Sequence, residues 1–277
     1  WDALKEDAEY NHPQIAKLLD SNIVYCADEK YLAELEGLRS KANAELSKPL
    51  DAAGFAKAQK SLDDAKIHFT NALLADDMPA KRNEACWVLY SIENAYAMLN
   101  RTYYRLGGRR CFKELNKMQK RPENLTALIE DVAAAGSEAE LDGSLTALMR
   151  ETSKCFEKEK KTLERPKEEP TPDSLRGTYE EMFSNWHGKV QLAAETGDKH
   201  LAFMTLGSLA AMIADIASEV KIDMDPLEVF AKYDPDDLSK TAAGYDEILA
   251  KYLKEYEKTG LKPVHYKDVN DFIKNYL

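Results

Sequence analysis

The chain has 277 residues, 44% hydrophobic and 31% charged, with a formal net charge of −11 and a pI near 5.1. That is enough chain for one large or two ordinary globular domains. The acidic balance argues against unspecific binding of a nucleic-acid backbone, which needs a basic surface. No uninterrupted run of about 18 apolar residues occurs, so neither nucleic acid nor membrane is expected as a partner.

Four cysteines, Cys26, Cys86, Cys111 and Cys155, are widely spread with no Cys-x-x-Cys pair. This is the usage of reduced thiols in a cytoplasmic protein, which is the expected location. Five dispersed histidines, His12, His68, His187, His200 and His265, form no His-x-x-x-His pair, and no metal site is expected in this chain.

In chain order, Trp1 reads as an internal start, with no basic and apolar leader before it. The run Asn22-Ile23-Val24-Tyr25-Cys26 is β-branched and aromatic and predicts a short strand, with an extended loop as the alternative. A lone strand cannot satisfy its own backbone groups, so this reading implies a sheet whose other strands lie elsewhere. Everything after it reads as helix. Tyr31, Leu32, Leu35, Leu38, Ala42 and Leu46 recur at spacings of three and four.

Pro49 and Gly54 break the pattern, and helices follow over about 55–74 and 79–104. The second carries the ladder Ala85, Val88, Leu89, Ile92, Tyr96 and Leu99 and stops at Gly107-Gly108. Further helices are predicted over about 110–120, 122–135 and 138–161. The segment 164–173, with three prolines among charges, reads as a stiff connector. Beyond it lie a helical hairpin, 174–196 and 198–220 around Gly197, and tail helices near 225–233, 235–259 and 267–276.

Within that hairpin the sequence LGSLAAMIADIASEVKIDMD (206–225) imitates a nucleotidyltransferase Gly-Ser turn followed by Asp-x-Asp. Such a motif needs its carboxylates at alternate positions of a strand, pointing at one metal pair. Here Leu206, Leu209, Ala210, Ile213, Ile216, Ala217 and Val220 form a helical stripe with no break at Gly207. Asp225, before Pro226, is placed as the N-cap of the next helix. The motif is read as a coincidence inside a helix.

A resemblance exists elsewhere. The stretch from Trp1 through AEYNHPQIAKLLDSNIVYCADEKYLAELEGLRSKA resembles the end of a minimal, kanamycin-nucleotidyltransferase-like catalytic domain. YSIENAYAMLNRTYYRLGGRRCFKELNKMQKRPENLTALI and TYEEMFSNWHGKVQLA are similar to that family's helical domain. The resemblance implies an enzyme that uses Mg²⁺ and a nucleoside triphosphate, with its Gly-Ser turn and Asp-x-Asp upstream of Trp1. The chain as it stands would then be catalytically incomplete. HEPN ribonucleases share a helical-bundle architecture, but no His follows an Arg here by four to six residues, as their chemistry requires.

The expected fold is therefore all-α, helical bundles with a short residual α/β segment at the N-terminus. Its expected division is 1–46 (nucleotidyltransferase-like tail), 47–163 (helical bundle) and 174–277 (second helical group). Glu93, Asn100 and Tyr104 stand seven and four apart and would share one helix face, with Asn94 and Tyr103 as further polar residues of that helix. Glu93 is the candidate general base, and Asn100, Tyr103 and Tyr104 would contact a hydroxylated or amino-bearing small acceptor. Arg101, Arg105, Arg109 and Arg110 surround Gly107-Gly108, either as phosphate contacts or as a cationic helix end.

Asn185, Trp186 and Lys189 form a second candidate substrate-binding cluster, with Trp186 as an apolar wall facing the same cleft as Glu93. The alternative function is a non-catalytic helical protein-interaction module. Self-association into a homodimer stays open.

Overall fold

The computed structural model describes residues 1–107, 110–263 and 269–276. The elements, in order, are α1 (Asp2–Ala8), α2 (Ala16–Asp20), α3 (Glu29–Ser47), α4 (Ala52–Leu74), α5 (Met78–Leu99), α6 (Cys111–Leu115), α7 (Leu125–Ala134) and α8 (Glu138–Leu163). These are followed by α9 (Pro172–Leu175), α10 (Thr178–Glu181), a π-helical stretch Met182–His187, α11 (Gly188–Thr196), α12 (Lys199–Glu219), α13 (Pro226–Ala231), α14 (Leu238–Lys258) and α15 (Val269–Tyr276). The fold is all-α. Among the described residues no strand forms, and sheet-type pairing is limited to an isolated parallel bridge between Glu168 and Val220.

Aspartates start most of the long helices. The side chains of Asp28, Asp51, Asp77, Asp198, Asp225 and Asp237 each accept a backbone N–H of the first turn, and Ser137 with Glu140 forms a reciprocal capping box. Each such cap satisfies a donor the helix cannot, worth about 1 kcal/mol.

The chain divides into two units, Trp1–Glu164 and Arg165–Leu277. In the first, α4 and α5 are joined by three residues and pack along their length, with α8 laid on both. Leu62, Val88, Ile92, Tyr96, Leu99, Leu145 and Phe156 are fully or almost fully buried between them. Lys81 is 4% exposed, and its ammonium is held by both carboxylate oxygens of Asp142 at 2.9 and 3.0 Å. That pairing is what allows a lysine to be buried at all.

The structure does not divide the chain at 46/47. Ala8, Leu18 and Ala42 make a small cluster of α1–α3, but Tyr10 and Ile15 are wholly buried in the main core of the first unit.

Two sequence expectations are corrected here. Residues 21–27 form neither helix nor strand, with a bend at Ala27, and pair with no described residue as a strand. Ile23, Val24 and Tyr25 are 43%, 96% and 83% exposed, and no backbone hydrogen bond joins 22–27 to another described residue. The β-branched composition favours a strand, but no described neighbour supplies a ladder. The helix expected to reach Tyr104 ends at Leu99. Asn100 leaves helical geometry, and Arg101 adopts a left-handed φ of 52°, which ends an α-helix. That unfavourable conformation is held from outside: the Arg101 guanidinium lies 5.0 Å from the Tyr10 ring centroid and bonds the Glu45 carbonyl.

In the second unit, Leu206, Leu209, Ile213, Tyr245, Ile248 and Tyr252 form the core. Gly197, with φ of 70°, makes the turn between α11 and α12. α12 runs unbroken through Gly207, and Asp225 caps α13 through Leu227 N at 2.9 Å. By length and composition α12 is also apolar enough to cross a membrane, but its face Ala202, Leu206, Leu209, Ile213 and Ile216 is buried in this core. The tail helix expected from 267 is described from Val269 onward, and residues 267–268 lie outside the described residues.

Candidate functional site

The corner after α5 gathers most of the candidate residues of the first unit. Because α5 stops at Leu99, Glu93, Asn100 and Tyr104 do not share a helix face. The chain instead turns back, so that the Tyr104 hydroxyl donates to the Glu93 carbonyl at 2.6 Å. The Glu93 side chain is half-buried beside the Cys111 thiol. Burial pushes its carboxyl above the ordinary glutamate range, and the hydrogen bond from Cys111 pulls the other way. Burial, and then the Glu93 charge, push the Cys111 thiol up to about 12. Tyr104 is raised too, by burial first and then by its acidic neighbours. At neutral pH both groups are therefore protonated, the thiol beside the Glu93 carboxyl and the phenol on the Glu93 main-chain carbonyl.

The Asn100 side chain is engaged by the protein itself. Its Nδ2 donates to the carbonyls of Tyr96 (2.9 Å) and Lys120 (3.0 Å), and its Oδ1 accepts Lys120 N at 2.8 Å. It clamps the end of α5 to the loop before α7. The Tyr103 hydroxyl donates to Asp20 Oδ2 at 3.0 Å, and Arg105 Nε reaches the other oxygen at 3.1 Å. The Glu114 carboxylate accepts the backbone N–H groups of Arg105 and Leu106. A small cleft of about 230 Å³ remains, lined by Asn100, Thr102, Tyr103, Glu114, Lys117, Met118 and Gln119. Among the arginines of this corner, Arg109, with Gly108, lies outside the described residues. Arg101 and Arg105 are engaged by protein groups.

The second candidate cluster belongs to the other unit. Asn185 and Trp186 fall in the π-helical stretch, a local widening often found at functional positions. Asn185 is exposed and donates to Glu181 of the preceding turn at 2.5 Å. Trp186 is half-buried and packs against the core of its unit. Lys189 is exposed on α11. The more engaged residue of the stretch is His187. Its Nε2 lies 2.9 Å from Asp246 Oδ1, and its ring stacks on Phe183 at 5.4 Å. Sequence spacing gave no sign of it, because Asp246 is 59 residues away.

A larger cleft, about 580 Å³, opens on the α4–α5 face and holds none of the predicted site residues. It is lined by Asn11, His12, Gln14, Lys57, Lys60, Ser61, Asp64, Tyr90 and Asn94. Lys57, Lys60, Ser61 and Asp64 recur at one-turn spacing on α4, as do Tyr90 and Asn94 on α5. That periodicity was visible in the sequence, but its convergence with residues 11–14 was not.

No three His, Cys, Asp or Glu side chains converge as a metal site among the described residues. Asp225, half of the Asp-x-Asp look-alike, uses its carboxylate to cap α13. No family model matches the chain, and neither a curated protein nor a solved structure matches it.

Proposed function

We propose that the chain is the helical, substrate-binding portion of a nucleotidyltransferase-like protein and is not itself a complete catalyst. The observation that carries this reading is the segment 22–27, which lies outside helix and strand. It presents Ile23, Val24 and Tyr25 to solvent on backbone that hydrogen-bonds no other described residue. An apolar, β-prone segment in that state is suited to complete a sheet supplied by another stretch of polypeptide. In this reading a small hydroxylated or amino-bearing acceptor lies by the corner after α5. Glu93 is its candidate base there, because a carboxyl raised by burial is better matched to proton abstraction near neutral pH. Asn185, Trp186 and Lys189 of the second unit would supply further substrate contacts, with Trp186 as an apolar wall.

The test has two arms. With ATP, Mg²⁺ and an aminoglycoside, the purified chain is expected to transfer no nucleotide, and EDTA-sensitive turnover would overturn the incompleteness. By calorimetry, Glu93→Gln should weaken aminoglycoside binding while the circular dichroism spectrum stays the same. Equal affinity in the variant would remove Glu93 from the site.

The second reading, a non-catalytic protein-interaction module, is favoured by an aromatic surface on α4 and α5. Trp87 and Tyr90 are each nearly half exposed. Trp87 stacks on His68 at 5.9 Å and meets Tyr90 edge-on at 5.8 Å, with Ile67 and Leu74 exposed on α4. Aromatic groups held rigidly at a surface are typical of binding hot spots. A Trp87→Ala variant that loses a partner captured by the parent chain, without change in melting temperature, would favour this reading over the first.

A further inference from the structure

The cleft on the α4–α5 face carries an inference that does not depend on nucleotidyl transfer. Its chemistry is unusual for this surface. Other titratable side chains that line it are engaged: Lys57 with the carbonyls of Glu9 and Tyr10 (2.8 and 3.3 Å), and His12 with Asp7 (3.3 Å). Lys60 and Asp64 are the exception. They stand one helical turn apart, both line the cleft, and neither forms an ion pair or hydrogen bond with any described residue. A lysine placed N-terminal to an acid at this spacing is the weaker orientation for pairing on a helix, so both charges stay available.

Across the cleft on α5 lies Asn94, which is only 9% exposed. Its Oδ1 accepts from Gln14 Nε2 at 2.5 Å, but its Nδ2 donates to no described residue. That nitrogen is not among the buried atoms left without a partner, so it is open to the cleft and keeps donor capacity for a group bound there. Ser61 adds a hydroxyl, and the half-exposed ring of Tyr90 gives a flat apolar wall. A volume of about 580 Å³ is that of a small-molecule site.

We propose that this cleft binds a small zwitterion of the α-amino-acid type, with its ammonium on Asp64, its carboxylate on Lys60 and the Asn94 amide, and an apolar or aromatic side chain against Tyr90. The two opposite charges recognise the two ends of such a ligand. A simple amine or a simple acid would satisfy one charge and leave the other without a partner. Asn94 supplies only donors toward the cleft, which places the carboxylate on its side.

The experiment is calorimetric titration of the purified chain with L-phenylalanine, phenethylamine and N-acetyl-L-phenylalanine. The last two lack the carboxylate and the charged amine respectively. L-Phenylalanine should bind at millimolar or tighter concentration, and each analogue at least tenfold more weakly. Asp64→Asn and Lys60→Gln should each lower affinity for L-phenylalanine at least tenfold, with melting temperatures unchanged, since both side chains are exposed. Equal binding of all three compounds, or binding insensitive to both substitutions, would overturn the proposal, as would no binding of L-phenylalanine at 10 mM to the folded chain. The titration contains no nucleotide, so its failure and the failure of the transferase reading are separate results.

Discussion

The corner after α5 and the cleft on the α4–α5 face are both polar, both lie in the first unit, and both include residues of α5. They differ in where their polar groups point. In the corner, Asn100, Tyr103, Arg105 and Glu114 are engaged by backbone atoms or by Asp20. In the cleft, the side chains of Lys60 and Asp64 and the Asn94 amide donors have no partner among the described residues. A dense run of polar residues in the sequence thus became the mortar of a chain reversal, while sparse ones at helical spacing became an open surface. Satisfied groups hold the fold, and unsatisfied ones near solvent are free to bind.

This difference predicts opposite responses to substitution. The largest effect should come from Asn100→Ala, which strips partners from the carbonyls of Tyr96 and Lys120 and from Lys120 N. A loss of about 2–3 kcal/mol is expected, read from urea unfolding. A loss below about 0.5 kcal/mol would mean that the corner is no more braced than the cleft. Tyr103→Phe removes one partly exposed hydrogen bond to Asp20 and should cost about 1 kcal/mol by the same measurement.

Glu93 sharpens the comparison through pH. Its carboxyl is raised in the folded chain, so between the ordinary glutamate pKa and the raised one the folded state holds a proton that the unfolded state has released. Its contribution to stability therefore falls as pH rises through that window, and acidification toward the ordinary glutamate range restores it. Glu93→Gln should flatten this slope and stabilise the chain at neutral pH relative to the parent. A steeper slope in the variant would contradict burial as the dominant cause. The smallest effects belong to the cleft: Lys60→Gln and Asp64→Asn should each change stability by less than about 0.5 kcal/mol. A larger loss would show that the cleft charges brace the fold after all.

How much of this was legible in the sequence follows from the range of each cause. The ladder Ala85, Val88, Ile92, Tyr96 and Leu99 and the stripe Leu206, Leu209, Ile213 and Ile216 were read from helical period, and the structure buries them. Asp225 was read as a cap rather than a metal ligand, and it caps α13. The same local rules failed at Asn100–Tyr104, because nothing within a few residues shows that Tyr10 and Glu45 hold Arg101 in a left-handed turn.

The sequence by itself determined the all-α class, the helix caps and the core-facing stripes. Periodicity and capping act between residues at most a turn apart, so they can be read along the chain. Only the tertiary structure decided that α5 stops at Leu99, that residues 22–27 find no strand partner among the described residues, and that Asn94 meets Gln14 across 80 positions. Those outcomes depend on which distant groups arrive to satisfy a donor, a carbonyl or a charge, and separation along the chain carries no record of them.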